Sequence, residues 1–175
     1  MHSTSNVQAD GWMSEAIRAA MRAAEEGEVP VGALVLLNDR PISLAWNRTE
    51  SLKDVTGHAE VIALRRASQK LGNHRLPGVT LVSTLEPCLM CLGAILEARV
   101  SRLIYGAEDP QRGALFVIEK GGLDHMPIAS IEIVGGVLRE RCRSLIQAYF
   151  KSRRGEDRPV DPPDSRREGI KIDNG

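Results

Sequence analysis

Two short runs hold the residues that could do chemistry. His58-Ala59-Glu60 opens one predicted helix, and Pro87-Cys88-Leu89-Met90-Cys91 opens another. At 3.6 residues per turn, Cys88 and Cys91 lie ~60° apart around their helix, with Cβ atoms roughly 5–6 Å apart. Two sulfurs at ~2.3 Å can then grip one zinc ion from a single face. The positive end of the helix favours their thiolate forms. A Pro-Cys-x-x-Cys run is expected by chance only about 0.002 times in such a composition, so it carries more weight than the commoner His-x-Glu. His58, Cys88 and Cys91 together make three ligands. A structural zinc takes a fourth from the protein, for which Cys142, His74 and His125 are the candidates, whereas a catalytic zinc leaves that position to water. Glu60 is ~200° around the helix from His58, a poor position for chelating the same ion and a good one for moving a proton beside it. A redox Cys-x-x-Cys would leave the His-x-Glu partner without a purpose.

Secondary-structure elements must bring the two runs together. Apolar spacing through Trp12, Ile17, Met21 and Ala24 predicts a helix over 12–26, ending at Gly27. The β-branched run 29–38 reads as a buried strand, and the turn Asn38-Asp39-Arg40-Pro41 returns the chain as a second strand over 42–46. A polar stretch, 47–57, leads to a helix over 58–71. Beyond it come a strand (78–85), a helix (88–99), a strand (101–107), a loop with a short helix (108–127), a strand (130–136) and an amphipathic helix (137–154). Strands alternating with helices predict an α/β sheet covered on both faces. If the strands before the two motif helices are parallel neighbours, the helix N-termini meet over one crevice.

Composition narrows the class further. The chain has 175 residues, formal net charge +0 and 3 cysteines. That length suits one domain, with no disulfide framework needed to hold its core. Residues 1–11 read as a flexible N-terminus, 12–154 as the domain, and the Pro-containing, apolar-poor 155–175 as a disordered tail. No apolar run approaches the ~20 residues of a membrane helix, and the N-terminus lacks the basic and apolar regions of a secretory signal. A cytoplasmic protein is expected. Neutral overall charge removes the crudest argument for nucleic-acid binding but leaves room for a local patch. Arg139, Arg141, Arg143, Lys151, Arg153 and Arg154 face only Glu140 across 139–154. Lys151, Arg153 and Arg154 beside Tyr149 and Phe150 suit phosphate contact plus base stacking, with Arg112 as a further candidate.

His58-x-Glu60 with Pro87-Cys88-x-x-Cys91 resembles the zinc-dependent cytidine/adenosine deaminase superfamily. Within it the chain is most similar to bacterial tRNA adenosine deaminases. Glu28-Val29-Pro30-Val31-Gly32-Ala33, Trp46-Asn47-Arg48, Asn73-His74-Arg75-Leu76 and Thr84-Leu85-Glu86-Pro87-Cys88 carry that similarity. The resemblance implies a three-layer α/β/α cytidine-deaminase-like fold with a central mixed five-stranded sheet. It implies a homodimer with one zinc ion per subunit, acting on the anticodon stem-loop of a tRNA, where it converts adenosine 34 to inosine. Glu60 would be the proton shuttle, and His58, Cys88 and Cys91 the zinc ligands. Asn47, Val29 and Ala59 would line the base pocket, and Asp109 would stand beside the flanking nucleotides. One stretch departs from the family pattern. Where Gly-Ala-Ala-Gly-Ser is usual, this chain has Gly113-Ala114-Leu115-Phe116-Val117. Leu115 and Phe116 closing the groove would favour a free base or nucleoside, such as guanine or cytosine, as the alternative substrate.

Overall fold

The computed structural model describes residues 4–115 and 131–155. The elements run α1 (Thr4–Glu25), β1 (Gly32–Leu37), β2 (Arg40–Trp46), α2 (Thr49–Leu52), α3 (Ala59–Leu71), β3 (Val79–Leu85), α4 (Leu89–Glu97), β4 (Arg102–Ala107), β5 (Glu132–Val134) and α5 (Arg139–Gly155). One sheet collects the strands in the order β2-β1-β3-β4-β5. β1 is antiparallel to both its neighbours, whereas β3 pairs with β4 and β4 with β5 in parallel. The other four strands therefore share one direction, and β1 alone opposes it.

Alternation along β1 divides the core into two layers. Ala33 and Val35 pack with Leu81 of β3, Ala59, Ile62 and Ala63 of α3, and Ile95 of α4. Leu34 and Leu36 turn to the opposite face, where they meet Met13, Ala16 and Ile17 of α1 and Cys142 of α5. Helices thus cover both faces of the sheet, giving the expected three layers. The close approach of α1 depends on Gly32, since a Cβ there would stand 2.7 Å from the Ala20 nitrogen and closer still to the Ala16 carbonyl.

Several boundaries differ from the sequence expectation. α1 begins at Thr4 rather than at residue 12, so residues 4–11 are helical and not a flexible leader. Ala9, 6% exposed, extends the buried stripe backwards, and alanine is too weakly apolar to signal it. β1 starts only at Gly32, because Pro30 has no N–H for the ladder and the Val31 N–H turns back to the Val29 carbonyl. Within the polar 47–57 stretch lies α2, a single turn with no buried residue and hence no periodicity to read. Of the expected loop over 108–127, residues 108–115 are described, and they form a turn tied to Cys88 through a bridge at Gly113. Phe116, Val117, His125, the start of the 130–136 strand and the 156–175 tail lie outside the described residues. No helix among those described is long and apolar enough to cross a membrane.

Candidate active site

The strands before the two motif helices are not neighbours. β1 lies between β2 and β3, and because it is antiparallel to both, those two still end at the same edge of the sheet. Four segments emerge there: Asn47 after β2, Glu86 to Cys88 after β3, Asp109 after β4, and Val29 to Val31 leading into β1. His58 and Cys88 are the N-cap residues of α3 and α4, in extended conformations (φ −71°, ψ 147° and φ −74°, ψ 172°). Neither side chain caps its own helix, which leaves both free to face each other across the edge.

The ligand atoms of His58, Cys88 and Cys91 all lie within 4.8 Å of one another. His58 Nδ1 is 3.6 Å from Cys88 Sγ and 3.4 Å from Cys91 Sγ. A sulfur and a nitrogen sharing one tetrahedral zinc at ~2.3 and ~2.05 Å stand about 3.6 Å apart, so the triplet fits that ion with almost no movement. The cluster's acid–base balance points the same way. A hydrogen bond from Cys91 holds the Cys88 thiol down to about 3, with His58 adding to the effect. Cys91 is pushed up by its bond to the Cys88 sulfur and by burial, while His58 is raised by its bond to Cys88. Two thiols and an imidazole crowded together suit displacement of their shared protons by a cation.

Glu60 stands behind the triplet, 4% exposed, with Ser83 Oγ donating to its Oε1 at 3.3 Å. Burial raises its carboxyl above the ordinary value of 4.5. It lines a cavity of about 200 Å³ together with Val29, Asn47, His58, Cys88, Asp109 and Arg112. Ala59 is the exception among the expected pocket residues, being completely buried in the core beneath. Of the candidate fourth ligands among the described residues, neither Cys142 nor His74 joins the triplet. Cys142 is on the opposite face of the sheet and His74 is in an exposed turn after α3.

A second groove of about 310 Å³ continues from the cavity, sharing Val29, Leu85, Asp109 and Arg112 and adding Ile146 and Phe150. Among the expected RNA contacts, Phe150 and Arg112 line this groove. Lys151 and Arg154 are exposed on α5, the Arg154 Nε donating within its own helix to the Phe150 carbonyl. Arg153 is engaged elsewhere, since its Nη2 donates to the Gly27 carbonyl at 2.8 Å and its guanidinium lies over the Tyr149 ring. Leu115 points away from the groove into the core at 8% exposure.

Two acids escaped the sequence reading. Glu86 laces the loop that carries Asp109, with Oε2 accepting the Asp109 N–H at 3.0 Å and Oε1 the Leu115 N–H at 3.1 Å. Glu28, 1% exposed, accepts from four groups around Asn47 and α2. Both stand inside runs quoted for the family, yet nothing in the sequence says that they face inward.

Residues 7–107 match the model of the cytidine and deoxycytidylate deaminase zinc-binding region. The chain belongs to this deaminase family. A tRNA-specific adenosine deaminase of Agrobacterium fabrum is 39% identical to it over 153 residues, 83% of this chain and 96% of the relative. Among solved structures, one from work on A-to-I editing by tRNA:A34 deaminases superposes with a TM-score of 0.71 at 40% identity, covering 77% of this chain and 98% of that one. A guanine deaminase from Bacillus subtilis is also similar, with a TM-score of 0.55 at 31% identity over 62% of this chain and 73% of its own. The deaminase fold is therefore shared by enzymes of both substrate classes, and the cavity's surroundings must separate them.

Proposed function

We propose that this deaminase converts adenosine to inosine at wobble position 34 of a tRNA, releasing ammonia. One observation favours that reading over a free base. The cavity does not close over its contents: among the described residues it runs on into the groove between Asp109–Arg112 and Phe150. A base flipped out of an anticodon loop needs such an exit for its flanking nucleotides, whereas a free base does not. The burial of Leu115 supports the same reading, since that side chain does not fill the groove.

Zinc, one ion per subunit, would be held by His58, Cys88 and Cys91, supplying Lewis acidity and a coordination position at which water becomes acidic. The chain's own residues do the rest. Glu60, kept dry and protonatable by burial, takes one proton from the attacking water and passes it to purine N1. It then takes the remaining hydroxyl proton at C6 and passes it to the amino group, which leaves as ammonia as the C6 carbonyl forms. Ser83 holds Glu60 by its Oε1. Val29 and Asn47 border the base, and Asp109 and Arg112 border the strand on either side. Phe150, Lys151 and Arg154 would extend the RNA-facing side along α5, and Arg153 would keep that helix in place. Leu89 and Met90, exposed beside Cys88, offer a second copy of the chain an apolar surface, in support of a homodimer. A cytoplasmic setting follows from the substrate.

The test compares ammonia release by zinc-loaded protein from an adenosine-34 anticodon stem-loop and from free guanine, cytosine, adenosine and cytidine. Inosine in the stem-loop alone is the expected result. Turnover of a free base with the RNA untouched would move the enzyme to the other class.

A further inference from the structure

Glu28 is a buried acid for which the proton transfers above have no use. It follows Gly27 at the junction of α1 and β1, and both of its oxygens are committed. Oε1 accepts the Ser51 N–H at 2.7 Å, and Oε2 accepts the Glu50 N–H at 3.1 Å, the Thr49 hydroxyl at 3.4 Å and Asn47 Nδ2 at 3.2 Å. Asn47 Nδ2 also donates to Thr49 Oγ1 at 3.2 Å. A carboxylate only accepts, so the reversed amide would set oxygen against oxygen. The amide nitrogen of Asn47 is therefore turned toward Glu28 and Thr49, which sets Oδ1 as the amide's acceptor for the cavity that Asn47 and Thr49 line. The junction itself is clamped from α5, because the Gly27 carbonyl accepts the Tyr149 hydroxyl at 3.0 Å and Arg153 Nη2 at 2.8 Å.

We propose that Glu28 is a positioning residue for the deamination, fixing the place and the amide face of Asn47 so that the substrate meets a rigid acceptor. The proposal rests on the reading of this cavity as the seat of the reacting base. Glu28 touches no substrate; it acts through Asn47. A Gln at this position keeps the volume but has one acceptor oxygen where Glu28 has two. Either the Ser51 N–H or the Asn47, Thr49 and Glu50 donors then face an NH2, and the clasp that fixes Asn47 loosens.

A double-mutant cycle tests this, with kcat/KM, zinc content and melting temperature read for each protein. Glu28→Gln should retain zinc and lower kcat/KM by about tenfold to a hundredfold, the scale of a misplaced positioning group. In the Asn47→Ala background the same change should alter kcat/KM by less than about twofold, while its effect on melting temperature persists. Equal fold-losses of kcat/KM in the two backgrounds would overturn the proposal, since Glu28 would then serve the fold alone. An Asn47→Ala protein as active as the parent would overturn it too. Should Glu28→Gln fail to fold, Thr49→Val replaces it in the cycle, with a smaller loss expected that likewise disappears without Asn47. If the parent deaminates a free base and not the stem-loop, the tRNA reading falls and the same cycle is run on that base, so the two failures remain distinct.

Discussion

At the scale of single residues, the roles proposed for the His58–Cys88–Cys91 triplet and for Glu60 can be tested separately. Glu60→Ala should keep stoichiometric zinc and lose at least about a thousandfold in turnover, because only proton transfer is removed. Metal analysis alongside ammonia release checks it, and near-normal turnover contradicts the role. Cys88→Ala should lose zinc and lower the melting temperature, since two ligands do not close a stable site. Zinc retained at one equivalent would contradict that. These residues were legible in the sequence because metal ligation forces residue types and spacings that chance seldom produces. Glu28 was not legible as a buried acid. A single carboxylate between an acidic run and an apolar strand gives no sign of burial, and its four partners come from the polar 47–57 stretch, which has no hydrophobic periodicity.

At the scale of elements, the site depends on two carboxylates that act as clasps. Glu28 receives the first free N–H groups of α2 from outside the helix, in place of a capping side chain. Burial alone would raise its carboxyl, but N–H donation from Ser51 and Glu50 and the Ser51 and Thr49 side chains hold it below 4.5. A lowered folded value stabilises the protein above 4.5, and that contribution is lost as pH falls through the folded value beneath it. Melting temperature against pH should therefore drop more steeply below 4.5 in the parent than in Glu28→Gln. Glu86 clasps the loop after β4, where Gly113 leaves no room for a side chain because a Cβ would press on the Glu86 carboxylate. Gly113→Ala should unhook that loop, lowering stability by about 1–3 kcal/mol and raising KM for the stem-loop. Apart from α2, strand and helix identities among the described residues were readable from apolar patterning. The order of strands was not, because nothing local to β2 or β3 says that β1 will insert between them.

For the whole molecule, an open groove and a modest basic edge predict how binding responds to conditions. Net charge is +0, so attraction to RNA must come from local cations such as Arg112, Lys151 and Arg154. Stem-loop affinity should then fall linearly in log–log terms with salt, and Lys151→Ala should reduce the slope by about one. A flat response, measured by fluorescence anisotropy, would remove α5 from the RNA-facing side. The antiparallel β1 has a consequence for how such a protein could be re-engineered. Among the described residues, the candidate metal ligands fall between residues 58 and 91, whereas Val29, Asn47 and Asp109 come from chain on either side of that block. The first hairpin with α2 is thus a cassette: exchanging residues 28–51 for those of a relative would transplant one pocket wall, clasp included, while leaving the reactive centre on its original scaffold.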